Sequence, residues 1–239
     1  MATQSKLYLI PNLISENDLD LVIPNSLKFK VLEIKHYIVE NIREARRFLK
    51  KLNKEINIDD LIFYEINKNI DISEIENYLD EAKNGMDFGL ISDAGLPCVA
   101  DPGNLIVAKA HAKGIHVVPL VGPSSIFLAL MASGLNGQNF AFNGYVPIDK
   151  IECTNKIKSL ELRSKIEKQT QIFMDTPYRN NKLLDTLLNT LHFDTKLCIA
   201  CNITATDEFI QTKSVYQWKT TKPDLNKKPC IFLISSYIN

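Results

Sequence analysis

The chain has 239 residues with 28 basic and 28 acidic side chains, and 45% of its residues are hydrophobic, the composition of one large or two modest globular domains. Because the formal net charge is zero, the chain as a whole has no attraction to nucleic acid or to anionic membranes, and such binding would require a local patch. All nine glycines lie between Gly85 and Gly144, which excludes both a Walker A loop and the N-terminal glycine-rich loop of a dinucleotide-binding domain.

The first half of the chain alternates strand and helix patterns. Apolar runs predict five strands, at residues 7–10, 29–34, 61–64, 88–91 and 115–120. Helical periodicity and caps predict helices at residues 19–23, 39–52, 73–85 and 105–112. This alternation predicts a mostly parallel five-stranded sheet with helices on both faces. Such sheets bind ligands beyond the carboxyl ends of their strands, where loops begin at Pro11, Lys35, Asn67, Ser92 and Leu120.

The second half of the chain has shorter helices and more strands in direct succession, which predicts a mixed sheet. Strands are expected at residues 140–142, 171–174, 196–203, within 206–211 and at 231–235, and helices at 125–132, 151–168 and between Thr176-Pro177 and residue 191. We therefore predict two α/β domains, residues 1–120 and 121–239. No apolar run is long enough for a transmembrane helix, because prolines and a glycine interrupt the longest one.

The five cysteines are odd in number and the sequence has no secretory signal segment, so a cytoplasmic location is expected. Cys198 and Cys201 form a C-x-x-C pattern inside an apolar run. On a strand, these two side chains would point to opposite faces of the sheet. Without a second Cys/His pair, the pattern favours buried small hydrophobic residues over a zinc or redox site, and no metal site is predicted.

Two loops concentrate the residues that could carry chemistry. The first, Ser92–Gly103, holds two aspartates, two prolines and two glycines. One interpretation is a structured turn in which the aspartates form Asx turns or cap the next helix. The alternative is a ligand pocket lined by backbone, where Asp93 accepts hydrogen bonds from an amine or hydroxyl. In the second loop, 119–125, Ser124 and Ser125 offer either helix caps or hydroxyl and N–H groups for a polar ligand.

Four motifs carry a resemblance to a known family: Ser92-Asp-Ala-Gly followed by Pro97, Asp101-Pro-Gly103, Val118-Pro followed by Gly122-Pro-Ser-Ser125, and Ala132-Ser-Gly-Leu135. In this order and spacing the chain resembles the tetrapyrrole methylase superfamily, whose members use S-adenosylmethionine without the usual glycine-rich methyltransferase loop. Two further segments, Phe140–Pro147 and Thr176–Arg179, resemble the branch that 2′-O-methylates a cytidine of small-subunit ribosomal RNA. The resemblance covers nearly the whole chain.

This resemblance implies a homodimeric methyltransferase whose cofactor, S-adenosylmethionine, lies bent in the cleft between two α/β domains. Carried over position by position, the residues implied in cofactor binding are Asp93, Leu96, Ser124, Ser125, Met174, Thr176, Asn202 and Pro229, with Cys230 beside the last. Backbone groups, small hydroxyls and apolar walls suit a zwitterionic ligand that carries a sulfonium group. Asp93 is the natural partner for its ribose or ammonium group.

Two loops on the substrate side depart from the ribosomal branch. Pro11–Asn17 lacks that branch's isoleucine-glycine-asparagine signature, and Val39–Arg43 keeps only Glu40 and Arg43 of an acidic-Asp-Thr-Arg run. A ribose hydroxyl is a weak nucleophile that benefits from a base, and Glu40 is the first candidate, with His36 the second. The alternative for Glu40 and Arg43 is an i,i+3 pair on a solvated helix.

Further residues could contact RNA. A basic cluster on one predicted helix is either a solvated face or a phosphate contact, and comprises Arg43, Arg46, Arg47, Lys50 and Lys51. Three tyrosines either stack a base or pack at element ends: Tyr37, Tyr145 and Tyr178. Methyl transfer to a ribose of ribosomal RNA is the favoured function. The alternatives are a methyltransferase of a small molecule such as a tetrapyrrole, and a cofactor-binding protein that has lost its acceptor site.

Overall fold

The computed structural model describes residues 5–16, 19–66, 77–80 and 85–237. The loop predicted to begin at Asn67 and most of the helix predicted at residues 73–85 lie outside these residues. The chain divides into two compact units, Met1–Ser124 and Ser125–Asn239. Each unit contains one five-stranded sheet with its own helices.

The N-terminal unit is built on a parallel sheet, as predicted. Its strands are β1 (Lys6–Ile10), β2 (His36–Val39), β3 (Ile62–Glu65), β4 (Phe88–Ile91) and β5 (His116–Pro119). They lie in the order β3-β2-β4-β1-β5, and every neighbouring pair is parallel. All residues of β2 and β4 are buried, as expected for central strands covered on both faces.

Helices cover both faces of this sheet. The described ones are α1 (Leu19–Val22), α2 (Asn25–Glu33), α3 (Ile42–Leu52) and α4 (Gly103–Ala112). On one face, α2 and α3 bury Val31 and Leu49 against Ile10. On the other, α4 buries Ile106 against Leu90 in a separate cluster. The predicted three-layer arrangement is therefore confirmed for this unit.

The predicted strand at residues 29–34 is wrong, because this segment belongs to α2 and β2 begins only at His36. Leu27 and Val31 are buried one helical turn apart, whereas Phe29 between them is 67% exposed, which is the periodicity of a helix. A short apolar run cannot by itself distinguish a strand from a buried helix segment. In consequence, the loop after the second strand begins at Glu40 and not at Lys35.

The start of α3 is also corrected, from residue 39 to Ile42. Val39 ends β2, and Asn41 caps the helix because its Oδ1 accepts the backbone N–H groups of Arg43 at 3.0 Å and Glu44 at 3.2 Å. The helical periodicity predicted for this segment is confirmed, since Ala45, Phe48, Leu49 and Leu52 are buried.

The C-terminal unit has the predicted mixed sheet. Its strands are β6 (Phe140–Tyr145), β7 (Thr170–Met174), β8 (Lys196–Cys201), β9 (Phe209–Ser214) and β10 (Cys230–Ser235). They lie in the order β6-β7-β10-β8-β9. Only the pair β6–β7 is parallel, and the other neighbours run antiparallel.

Helices also cover both faces of the second sheet. They are α5 (Ser125–Ser133), α6 (Lys150–Glu167), α7 (Asn180–Thr190) and α8 (Val215–Thr220). Trp218 and Cys201 share the core under α6, α7 and α8, whereas Cys198 lies in the core under α5. The two cysteines of the C-x-x-C pattern are therefore buried on opposite faces, as predicted. Across the part of the chain that the structure describes, no helix has the length and apolarity needed to span a membrane.

Candidate functional site

The loops that follow β1 and β4 are joined at the carboxyl edge of the N-terminal sheet. The backbone N–H of Asn12 donates to the carbonyl oxygen of Gly95 at 2.8 Å, and the N–H of Gly95 donates to that of Leu13 at 3.3 Å. Gly95 has φ +68°, a conformation that glycine adopts without steric cost. The loop Ser92–Gly103, called the Asp93 loop from here on, is thus anchored on the loop after the first strand.

Asn12 strengthens this junction with its side chain. The residue is 7% exposed, and its Nδ2 donates to the carbonyl oxygens of Ser92 at 3.0 Å and Asp93 at 3.1 Å. Its Oδ1 accepts the N–H of Leu13 at 2.7 Å. Sequence reasoning missed this residue, although an asparagine directly after a strand and a proline was the available signal.

Replacing Asn12 by alanine is expected to lower the free energy of unfolding by about 1–3 kcal/mol, because buried carbonyl groups lose their donor. Asn57 is the matched control, since it is exposed and its side chain accepts one long bond of 3.4 Å from Asp59. Asn57→Ala should cost clearly less. Urea denaturation of both variants measures the difference, and equal losses would contradict the role assigned to Asn12.

Glu40 lies at the carboxyl end of β2 and reaches the same loop. Its Oε1 accepts the backbone N–H of Asp93 at 3.0 Å, which joins two predicted site residues that are far apart in sequence. Arg43 lies nearby in the first turn of α3 and is exposed. His36, by contrast, is buried at the amino end of β2, where its Nδ1 lies 3.1 Å from the hydroxyl oxygen of Tyr64. The two candidate bases therefore lie at opposite ends of one strand.

The Asp93 carboxyl is exposed but has acidic surroundings. Partial burial raises its pKa above the ordinary 3.8, and the neighbouring carboxylates of Glu44, Glu65 and Asp101 raise it further. These surroundings therefore disfavour the negative charge of Asp93. A cationic or hydroxyl-bearing ligand beside this carboxylate would relieve that cost.

Asp93→Asn is expected to increase the free energy of unfolding near neutral pH, by a fraction of a kcal/mol because the group is solvent-screened. A raised folded-state pKa means that Asp93 contributes stability that is complete below pH 3.8 and is lost as the pH rises through the raised pKa. The difference between the variant and the parent should therefore vanish at low pH. Urea denaturation across pH measures it, and a destabilised variant at neutral pH would contradict the sign.

Asp101 behaves as a turn residue. Its Oδ1 accepts the N–H of Gly103 at 2.6 Å, directly at the start of α4. A Cβ on Gly103 would lie 2.8 Å from that oxygen and 3.1 Å from Cδ2 of Leu90, so the motif needs glycine here. The Asx-turn interpretation is thus confirmed for Asp101. Leu96, in the same loop, is half-buried.

The loop after β5 packs against the loop after β1. The N–H of Leu120 donates to the carbonyl oxygen of Leu9 at 3.0 Å, and a Cβ added to Gly122 would lie 2.2 Å from the ring of Pro11. Ser124 directly precedes α5, and Ser125 is its first residue. The structure therefore brings the ends of β1, β2, β4 and β5 together around the Asp93 loop.

In the C-terminal unit, three predicted residues lie at one edge of the mixed sheet. Met174 ends β7, and Asn202 and Pro229 flank the adjacent ends of β8 and β10. The N–H of Asn202 donates to the carbonyl oxygen of Pro229 at 3.0 Å, and its Nδ2 donates to Asp207 at 2.8 Å. Asn202 has φ +49°, which asparagine tolerates better than most residues.

The Thr176–Arg179 motif follows β7, and its last residue forms an ion pair with Asp175 that sequence reasoning missed. Asp175 is 8% exposed and accepts a hydrogen bond of 2.9 Å from Nε of Arg179, with Nη2 also in contact. The same carboxylate accepts the N–H of Thr176 at 2.7 Å. The ion pair fixes the turn that presents Thr176.

Of the residues predicted to contact RNA, one is buried and the others are exposed. Tyr37 is fully buried and donates to the carbonyl oxygen of Val31 at 2.9 Å, so it packs in the core. Tyr145 and Tyr178 are 53% and 75% exposed. All five basic residues of the cluster on α3 are exposed, so that surface is accessible to a phosphate backbone.

Comparison with known proteins gives relatives that share one name, ribosomal RNA small subunit methyltransferase I. The protein from Vibrio cholerae is 30% identical over 197 residues, which are 81% of this chain and 67% of that protein. The protein from Buchnera aphidicola of Schizaphis graminum is 30% identical over 198 residues, 82% of this chain and 66% of that protein. The chain thus spans about two thirds of the length of these relatives. No family model matches it.

Solved structures with the same fold include two methyltransferases. The methyltransferase CobJ superposes with a TM-score of 0.62 at 11% identity, covering 97% of this chain and 93% of that one. Cobalt precorrin-4 methyltransferase CbiF gives a TM-score of 0.61 at 15% identity, covering 98% and 96%. The fold, together with the relatives, leads to one assignment: the chain belongs to the ribosomal RNA small subunit methyltransferase I family, a family of methyltransferases.

Proposed function

We propose that this chain transfers a methyl group from S-adenosylmethionine to a ribose 2′-hydroxyl of ribosomal RNA. The observation that carries the proposal is the Asp93 loop, held by Asn12 and Glu40 at the carboxyl edge of the parallel sheet in a member of this family. This edge is where open parallel sheets bind their ligands.

The predicted cofactor residues fit S-adenosylmethionine in their chemistry. The N-terminal unit offers the exposed Asp93 carboxylate and the half-buried Leu96 side chain at one sheet edge. The C-terminal unit offers Met174, Asn202 and the exposed Pro229 at one edge of its own sheet. Carboxylate and hydroxyl groups suit the ammonium and ribose, and the apolar side chains suit the adenine and methyl groups. Ser124, Ser125 and Thr176 supply the hydroxyls.

The residues of this chain have two tasks in the reaction. When bound, S-adenosylmethionine supplies the methyl group and the leaving group, so the protein mainly orients the acceptor and accepts its proton. Glu40 is the proposed base for the ribose hydroxyl, and its bond to Asp93 couples the base to the cofactor loop. The exposed Arg43 and the basic cluster on α3 are proposed to hold RNA phosphates.

The Glu40→Gln variant tests whether Glu40 acts as a base or only positions the Asp93 loop. Glutamine keeps an oxygen that accepts the Asp93 N–H but cannot take a proton, so turnover should fall about 100-fold or more while S-adenosylmethionine affinity is kept. Single-turnover methylation and calorimetry measure the two quantities. Loss of affinity with unchanged turnover would assign Glu40 to positioning alone.

The cofactor assignment is tested by calorimetry with S-adenosylmethionine on the full chain. Saturable binding is expected, and Asp93→Ala should weaken it about 10- to 100-fold, the value of a hydrogen bond to a charged group. Thr154→Ala is a control, because the Thr154 hydroxyl donates to a carbonyl oxygen within its own helix, α6. No binding at millimolar ligand would contradict the proposal.

The acceptor is tested on small ribosomal subunits from a strain in which the gene has been deleted. Incubation with the protein and labelled S-adenosylmethionine should add a 2′-O-methyl group to one ribose, which is then mapped on the RNA. Transfer to a tetrapyrrole but not to RNA would favour the small-molecule alternative. Cofactor binding without transfer to either acceptor would favour a protein that has lost its acceptor site.

We also propose that the chain acts as a homodimer in the cytoplasm, where ribosomal RNA is its substrate. Two copies would double the basic surface of α3, which matters for a chain of zero net charge. Light scattering of the purified chain tests the oligomeric state, and a monomer at micromolar concentration would contradict it.

A further inference from the structure

The register of β8 and β10 places two cysteines opposite each other. Cys201 ends β8 and Cys230 begins β10, and the two residues are direct partners in this antiparallel pair. They are 2% and 5% exposed and lie in the same core cluster, so both side chains point to one face of the sheet. The cysteine that pairs with Cys201 is therefore Cys230 and not Cys198 of the C-x-x-C pattern.

The hydrogen-bond pattern defines the geometry of this pair. The N–H of Asn202 donates to the carbonyl oxygen of Pro229, so these neighbouring residues form a hydrogen-bonded pair. Because the two kinds of pair alternate along antiparallel strands, Cys201 and Cys230 form a non-hydrogen-bonded pair, with Cα atoms about 4.5 Å apart. Disulfides need Cα atoms about 4.4–6.8 Å apart. The backbone therefore permits a disulfide without a change of register.

The two thiols are chemically distinct. A hydrogen bond from Cys230 lowers the pKa of Cys201, and the Lys228 ammonium lowers it further. The same contact and burial raise the pKa of Cys230, whose Sγ also lies 3.4 Å from the carbonyl oxygen of Lys228.

The remaining cysteines lack this arrangement. Burial raises the pKa of Cys98 to about 12 and that of Cys198 to about 11. Cys198 lies in the core on the opposite face of the sheet. Cys153 is buried in α6.

We propose that Cys201 and Cys230 form a redox modification site that hydrogen peroxide converts into a cross-strand disulfide. The Cys201 thiolate attacks one peroxide oxygen, which breaks the O–O bond, releases hydroxide that takes a proton to become water, and leaves a sulfenic acid. The Cys230 sulfur then attacks the Cys201 sulfur, and the thiol proton and the hydroxyl leave as a second water. Two thiols are oxidised and one peroxide is reduced to two waters.

Oxidation of this site would weaken cofactor binding at Asn202 and Pro229, a consequence that rests on the proposed function. Cys201 directly precedes Asn202, and Cys230 directly follows Pro229. A disulfide would fix the ends of both strands, and drawing the Cα atoms apart toward the roughly 5.5–6 Å that disulfides prefer would displace the hydrogen-bonded pair that is proposed to close the cofactor site. The oxidised chain should therefore bind S-adenosylmethionine at least about tenfold more weakly.

The experiment begins with the reduced full chain and phenylarsine oxide, a reagent that bridges two neighbouring thiols. Intact-mass analysis should show one adduct in the parent and in Cys198→Ala, and none in Cys201→Ala or Cys230→Ala. Peroxide should then produce one disulfide, located by peptide mass mapping as Cys201–Cys230 and reversed by dithiothreitol. Thermal melts confirm that each variant is folded. If prolonged incubation gives neither the adduct nor the disulfide, the proposed site is wrong.

Calorimetry on the oxidised and the reduced chain tests whether the disulfide lowers the affinity for S-adenosylmethionine. Weaker binding that dithiothreitol restores is expected for the parent, and no change on peroxide treatment is expected for Cys230→Ala. A mapped disulfide with unchanged affinity would overturn the regulatory part alone. A reduced chain that binds no S-adenosylmethionine but still forms the disulfide would overturn the proposed function and leave the redox site standing.

Discussion

Arg179→Ala is expected to lower the free energy of unfolding of the C-terminal unit by about 3–5 kcal/mol. The variant leaves the Asp175 carboxylate, whose side chain is 6% exposed, without its cation. The N–H of Thr176 would remain as a donor, but a buried charge with one neutral donor is poorly compensated. Urea denaturation followed by circular dichroism measures the loss.

Two further variants make this prediction specific. The double variant Asp175→Asn/Arg179→Ala removes the buried charge and should recover much of the lost stability. Arg163→Ala is the matched control, because Arg163 forms an i,i+4 pair with Glu167 in which both side chains are nearly half exposed. That substitution should cost less than about 1 kcal/mol. Similar losses for Arg163→Ala and Arg179→Ala would show that burial is not the cause.

Gly122→Ala is the second substitution with a large expected effect. The new Cβ would lie 2.2 Å from two ring carbons of Pro11, a contact that a rigid proline ring cannot relieve by rotating. The loops after β1 and β5 must then separate, which should cost about 3 kcal/mol, at the upper end of the usual range for overpacking. Pro11 directly precedes Asn12, whose side chain holds the Asp93 loop. Displacing Pro11 should therefore also lower the affinity for S-adenosylmethionine.

Gly137→Ala is the control for this substitution, since an added Cβ meets nothing within 4 Å and φ is not positive. Its stability should change by less than about 0.5 kcal/mol. Thermal melts and calorimetry of both variants give the comparison. An unchanged melting temperature for Gly122→Ala would mean that the two loops do not pack as described.

The parallel sheet could be predicted because its strands are short apolar runs that alternate with helices. Residues 29–34 were the exception, since six residues with mixed polarity do not define a period, and only burial at Leu27 and Val31 identifies a helix. The helix α8 was missed although Ser214 and Gln217 form a capping box at its start. That signal was present in the sequence.

The candidate site was only partly predictable. Topology alone places Glu40 and Asp93 at one edge of the sheet, because both follow parallel strands. Two contacts depend on the register between strands that are distant in sequence. They are the hydrogen bond from Asn12 to the Asp93 loop and the Cys201–Cys230 pair. The order of strands along a chain does not specify register, which is set by the packing of both faces.

The strand order β3-β2-β4-β1-β5 has a consequence for folding during synthesis. Among the residues that the structure describes, the neighbours of β1 are β4 and β5, so this strand stays unpaired until residue 88 and beyond have left the ribosome. During that interval the unpaired backbone N–H and C=O groups on both of its edges are available to other chains. Closing the N-terminal sheet then requires contacts across about eighty residues, which makes this step slow compared with helix formation. The arrival of β4 therefore joins β1 to β2 in one sheet and, in the same step, brings the Asp93 loop to the loop after β1.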